Sequence, residues 1–324
     1  MLLKLSEEAD RAGFRVVHVD FLVATTPAEI ARRIEEAYVA ALKGPVAKVF
    51  ERLRRSWRGR AKAAPGGIGG ELEYLGESDA MQRLADLLDL PKKVLEASGE
   101  RTLVLFDEFQ DFLRAEGDLD GLLRSKIQMH GEAASYVYAG SEQSLLNEYF
   151  DSRERPLFDQ ARPIALGPLP GVDLGDYIAD RFDCTGKDPG EALDHLLDLA
   201  RGHPQRAMLI AHHLWQSTVA GEPATTDTFD AALEQVDRET KERFEATWQA
   251  LAGSANKRRV IKALALSGES LYNQRTLSAF ELQKGQAASG EAGLIKDGEV
   301  VKLDGRPVIV DPLLERWIRM RELG

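Results

Sequence analysis

Cysteine is almost missing from this 324-residue chain: Cys184 stands alone. That removes any internal disulfide framework and any metal cluster built from cysteine only, and it fits a reducing compartment, the cytoplasm. No apolar run approaches the roughly 18 residues of a spanning helix. The opening Met1-Leu2-Leu3-Lys4-Leu5-Ser6-Glu7-Glu8-Ala9-Asp10 reads as an acidic amphipathic helix without the apolar centre of a signal peptide. Membrane and secretion are therefore disfavoured. Basic charge is in deficit, 42 Lys and Arg against 53 Asp and Glu for a net −11, which argues against a chain coated in nucleic acid while leaving room for a local basic face. Repeats and low-complexity tracts are lacking too. What is present is 44% hydrophobic and 29% charged residues, enough to bury real cores in two or three domains of about 100–200 residues each.

Along the chain, period alternates between helix and strand. Phe14 to Val23 is a β-branched apolar run, and Thr26-Pro27-Ala28-Glu29 supplies an N-cap, a first-turn proline and an early acid for the helix carrying Ile30, Ile34, Tyr38 and Ala41. Residues 43–62 hold eight basic residues against Glu51 and lead into a glycine-rich stretch over 64–70, read as a solvated helix face followed by a loop or hairpin insertion. A helix over about 79–98 precedes the apolar strand Leu103-Val104-Leu105-Phe106, which ends abruptly in Asp107-Glu108. A second strand, Ser135 to Gly140, ends in Ser141-Glu142, and Arg162-Pro163-Ile164-Ala165-Leu166 is a third candidate. Nearly all-apolar strands separated by helices predict a parallel sheet covered on both faces, an α/β class, to about residue 170.

Residues 171–253 read as helical. From 254 the pattern shortens to helices over 257–266, 276–282 and 286–293, a hairpin through Asp304-Gly305, and a last helix from Asp311-Pro312. Three short helices with a hairpin describe a winged helix-turn-helix. This segment, 255–324, carries net +3 while the remainder carries −14, so it can face duplex DNA or pack on a protein. Lys284, Gln286 and Ser289 are the DNA-facing candidates, on a helix weakened by Gly285 and Gly290.

Asp107 and Glu108 lie at the carboxyl edge of the predicted sheet, where open α/β folds bind ligands. Such a pair either caps the next helix or serves phosphoryl transfer, one carboxylate holding Mg²⁺ and the other polarising water. Ser141 at the neighbouring tip favours the second. His203, His212 and His213 lack metal-ligand spacing and read as caps and packing, and Cys184 as incidental.

Leu103-Val104-Leu105-Phe106-Asp107-Glu108-Phe109-Gln110, Tyr138-Ala139-Gly140-Ser141, Arg155-Pro156-Leu157-Phe158, Gly202-His203-Pro204-Gln205 and Val310-Asp311-Pro312 to Trp317 together resemble, in order, the archaeal-type branch of the AAA+/STAND P-loop ATPases. The resemblance spans nearly the whole chain. It implies a P-loop NTPase-like α/β domain over 1–170, a helical lid over 171–253 and a winged helix over 254–324. It also implies ATP and Mg²⁺ as cofactors, with Asp107 on the magnesium side, Glu108 as base and Ser141 as sensor. Arg153 or Arg155 would be an arginine finger, acting across a subunit boundary and so implying a homo-oligomer, and Arg206 the lid contact to the nucleotide.

One family feature is missing. No Gly-x-x-x-x-Gly-Lys-Ser/Thr string occurs, and Thr185-Gly186-Lys187-Asp188 lacks the hydroxyl after its lysine. Family order would set the phosphate loop just before Leu2, so a truncated or late-started chain is the favoured expectation. Without that loop, ATP binding is expected to be weak or absent, and the rival reading is a nucleotide-independent DNA-binding or adaptor protein on a degenerate ATPase scaffold.

Overall fold

A computed structural model describes residues 1–63 and 77–323, in two compact units, 1–163 and 164–324. The glycine-rich stretch at 64–70 lies outside the described residues.

The first unit opens with α1 (Leu2–Arg11), which turns through Gly13 at φ +83° straight into β1 (Arg15–Asp20). Glycine suits that left-handed position because it has no Cβ to clash. There follow α2 (Pro27–Ala41), α3 (Gly44–Ala63), α4 (Glu77–Leu88) and α5 (Leu90–Ser98), then β2 (Thr102–Asp107), α6 (Phe109–Arg114), α7 (Leu119–Ile127), β3 (Ala134–Tyr138) and α8 (Gln143–Asp151). The three strands form a parallel sheet in the order β1-β2-β3, with Asp20 opposite Asp107 and Phe106 opposite Tyr138.

Burial follows from this order. In the central strand, Thr102 to Phe106 are all buried, whereas every residue of edge strand β3 is half-exposed. Val17, Val19, Val104 and Phe106 belong to the larger core with Ile30, Ile34 and Leu84, while Leu103 and Leu105 meet Ala9 of α1 on the other face. The capping box at α2 forms as its sequence predicts, Thr26 accepting from the Glu29 N–H. The predicted helix over 79–98 is two helices, parting at Asp89 just before Pro91, whose ring cannot continue a helix interior. Buried Glu35 on α2 accepts from Arg54 Nε at 2.7 Å and from Arg83, so one of the basic residues of 43–62 is an internal tie.

The strand predicted at Arg162–Leu166 does not form. Residues 162–170 are irregular and exposed, Ile164 at 77% and Leu166 at 69%. A strand needs a ladder partner, and among the described residues β3 pairs with β2 alone.

The second unit contains α9 (Gly171–Asp183), α10 (Ala192–Ala200), α11 (Pro204–Ser217), α12 (Thr226–Ala250), α13 (Ala255–Leu266), α14 (Gln274–Ala279) and α15 (Lys284–Lys296). The hairpin β4 (Val300–Leu303) and β5 (Arg306–Ile309) and the last helix α16 (Pro312–Leu323) complete it. The hairpin turns on Asp304 and Gly305, both at positive φ, as an Asp-Gly turn prefers. A single core runs from Leu174 through Leu214, Phe244 and Trp248 to Val260, Leu294 and Ile318. Gly290 is a packing requirement: a Cβ there would lie 2.8 Å from the Asn256 carbonyl oxygen and from Val260 Cγ2 on α13.

Candidate functional site at the strand tips

β2 leaves the sheet through a sharp turn. Glu108 adopts φ +48°, a conformation uncommon outside glycine and asparagine. That reversal starts α6 immediately, and the turn is laced to the exit of β3: Ala139 N–H donates to the Phe106 carbonyl at 2.8 Å, and Phe109 N–H donates to the Ala139 carbonyl at 2.9 Å. Beneath it Phe21, Phe106, Phe109, Phe112 and Tyr138 form an aromatic cluster, Phe109 and Tyr138 standing 4.7 Å apart between ring centres. This packing fixes the tip geometry at the level of side-chain volume. Arg114 at the end of α6 also grips Glu142, the residue after Ser141.

Asp107 and Glu108 are half-buried and Ser141 is exposed. Asp107 Oδ1 accepts from the Glu108 N–H at 3.1 Å, and its Oδ2 lies 3.6 Å from His18 Nε2 on β1. Asp20, at the tip of β1, accepts from the Leu22 N–H through Oδ1 at 2.8 Å. Backbone lacing therefore joins the tips that carry Asp107, Glu108 and Ser141 at one edge of the sheet. Glu108 accepts from the Nε2 of Gln110, a buried residue of α6.

His18 and Gln110 carry no role in the sequence reading. The alternation that exposes His18 and Asp20 together on β1 is the signal for the first. For the second, the signal is an amide two residues beyond the acid pair.

Of the arginines, Arg153 is exposed and has no partner among the described residues. Arg155 pairs with Glu148 and lies 4.1 Å from the Tyr149 ring centre. The bond to Glu148 holds the Arg155 guanidinium above its ordinary pKa.

Arg206 is 3% exposed and faces Asp311: its Nε donates to Asp311 Oδ2 at 2.9 Å, and Nη2 donates to the same oxygen. Asp311 Oδ1 in turn accepts from the Leu313 and Leu314 N–H groups and caps α16. His203 Nδ1 accepts from the Arg206 N–H as the cap of α11, and Gly202 accepts from the Leu169 N–H at 2.9 Å. Two motifs far apart in sequence thus form one node in the second unit, and Arg206 is occupied by it. Burial holds the His203 imidazole below its ordinary pKa, against the pull of Asp311.

In α15, Lys284 and Ser289 are exposed. Gln286 spends its Oε1 on the Gln283 N–H as the return bond of a capping box, leaving only its NH₂ group to donate outward. Buried Glu291 ties α15 to the hairpin through Lys302 at 2.9 Å and accepts from the Tyr272 hydroxyl, whose pKa burial and that bond push up to about 12.

The first unit is an α/β domain of parallel strands with carboxylates at the tip of its central strand. Solved structures give the comparison its particulars. A Walker-type ATPase of Pyrococcus abyssi matches with a TM-score of 0.60 at 16% identity over 94% of this chain and 84% of that one. The ORC2 protein of Aeropyrum pernix, solved as ADPNP–ADP complexes, matches with a TM-score of 0.50 at 16% identity over 99% of this chain and 83% of that one. At that identity the likeness is one of fold. No protein-family model and no curated protein matches the sequence. Among the described residues no helix is long and apolar enough to cross a membrane.

Proposed function

We propose that the chain is an AAA+/STAND-type nucleotide switch, with ATP and Mg²⁺ meeting at the strand tips and the C-terminal helices and hairpin acting as a winged helix toward DNA or a protein. The observation that carries the reading is the lacing of the β2 and β3 exits, which sets Asp107, Glu108 and Ser141 at one edge of the sheet. The donors fit a hydrated magnesium ion, which takes one or two carboxylates and fills its remaining positions with water and phosphate oxygens. Bound ATP with Mg²⁺ would supply an electrophilic phosphorus and a counter-charge. Within the chain, Asp107 would hold the hydrated cation, Glu108 would accept the proton of an attacking water, and the Ser141 hydroxyl would donate to a phosphate oxygen. Arg153 and Arg155 are the finger candidates, and their use implies a homo-oligomer.

The triphosphate itself fits less well. No phosphate-loop lysine is present, and two carboxylates about 4 Å from a phosphate charge would each cost roughly 4 kcal/mol at an effective dielectric of 20 without the metal. Binding is therefore expected only with Mg²⁺. Calorimetry of the full chain with ATP, with and without Mg²⁺, tests this: heat that persists without the metal, or survives Asp107→Ala unchanged, refutes the assignment.

A wild-type chain that binds no ATP at millimolar Mg²⁺ favours the second reading, a nucleotide-independent DNA-binding or adaptor protein. Acidic strand tips in a sequence with no Gly-x-x-x-x-Gly-Lys-Ser/Thr string motivate it. A salt-dependent shift of duplex DNA by the full chain, weakened by Lys284→Ala and Ser289→Ala, would mark a DNA reader. An unchanged shift would remove α15 from the interface.

A further inference from the structure

Gln110 is the least expected residue at the strand tips. It is 5% exposed, on the first turn of α6, with a full carboxamide to satisfy. Burying an amide without partners is unfavourable, so such groups are normally fully bonded. Here Nε2 donates to Glu108 Oε2, while Oε1 has no hydrogen-bond partner among the described residues. The amide cannot be turned over, because Oε1 would then face the Glu108 carboxylate. Its free oxygen sits against Gly140, the residue before Ser141, where a Cβ would collide with it. Gly140 is outside the left-handed region, so a side chain there would not strain the backbone but would push the end of the Gln110 side chain aside.

We infer that Gln110 is the positioning residue of Glu108: its buried carboxamide, wedged between Glu108 and Gly140, sets where the Glu108 carboxylate stands relative to Ser141. The catalytic meaning of that position rests on the nucleotide reading above; the positioning does not. Glu108 is held from behind, on the α6 side, by a donor that cannot move without disturbing the exit of β3. Displacement at Gly140 or Ser141 is thereby transmitted to the acid through one amide. An added methyl at Gly140 releases Glu108 without touching it.

The test is carbodiimide labelling of carboxylates in the full chain without nucleotide, read residue by residue by mass spectrometry. Gln110→Met keeps the length and burial of the side chain but removes the donor, and Gly140→Ala displaces it. Each is expected to raise labelling of Glu108 roughly tenfold, the lower end of the worth of a hydrogen bond to a charged group, with Asp20 unchanged. A role in packing alone leaves Glu108 unmoved in Gln110→Met, and that result overturns the inference. So does a rise shared equally by Glu108 and Asp20, which reports general loosening. Wild-type labelling with Mg²⁺ and ATP separates the two readings: absence of nucleotide protection counts against the ATP site alone, and unmoved Glu108 labelling in the variants counts against Gln110 alone.

Discussion

Replacing Asp311 by asparagine isolates the charge that holds Arg206. The pair is among the most buried in the second unit, with side chains 4% and 11% exposed. Asp311→Asn keeps an Oδ1 to accept from the Leu313 and Leu314 N–H groups, so the cap of α16 survives while the guanidinium of Arg206 loses its carboxylate. Removing one partner of a buried ion pair costs about 3–5 kcal/mol, because the other charge is left in a medium that solvates it poorly. For a unit of this size each kcal/mol moves the melting temperature by about 2–4 °C, giving a fall of roughly 6–20 °C. Asp311→Ala forfeits the cap as well and is expected to lose about 1 kcal/mol more. Tryptophan fluorescence reports the transition, since Trp215, Trp248 and Trp317 all lie in this unit and Trp317 packs on Phe244 and Trp248. Joint replacement, Arg206→Met with Asp311→Leu, should recover most of the loss, since an apolar pair of similar volume leaves no charge stranded. An Asp311→Asn protein that melts within about 2 °C of wild type, under about 1 kcal/mol, would refute the account of Arg206 as a structural tie.

Burial lowers the pKa values of His130 and His203. The unfolded chain takes up protons near the ordinary value of about 6.5 while the folded chain does not. Stability is therefore full above that pH and declines as pH falls through the lowered folded values. Urea midpoints between pH 7.5 and 5 should show the decline, and His203→Asn, which keeps a cap acceptor, should flatten it; an unaltered slope would discount His203. Gly290→Ala is expected to destabilise by about 1–3 kcal/mol through overpacking against Asn256 and Val260. Gly285→Ala, with open space around its Cβ, is expected to gain about 0.4–1 kcal/mol from reduced chain freedom. Equal urea midpoints for the two variants would contradict the close crossing of α13 and α15.

Local signals were legible where the chemistry is local. The Thr26-Pro27-Glu29 cap, the strands ending at Asp107 and before Ser141, and the Asp304-Gly305 hairpin all stand where residue types within a few positions dictate them. Non-local partners were not legible. Arg162 to Leu166 has a strand's composition but no ladder to join, and composition cannot report a missing neighbour. Arg206, read as a nucleotide contact, meets a carboxylate 105 residues away. Gly290, read as a weak point of a helix, is where α15 packs against the backbone of α13. Gln110 was visible only as a letter beside two acids. Its use depends on Gly140, whose hydrogen side chain leaves the space it fills.

The continuous core of the second unit bears on how this half of the molecule can change over time. Phe244, Trp248 and Leu251 of the long-helix segment share their burial with Val260, Ile261 and Ile318 beyond it. A cut between residues 253 and 254 would strip both pieces of their inner surface at once. Neither piece can be borrowed, lost or replaced by recombination without the other, so the two are expected to be inherited together, and a change in one must be answered in its companion.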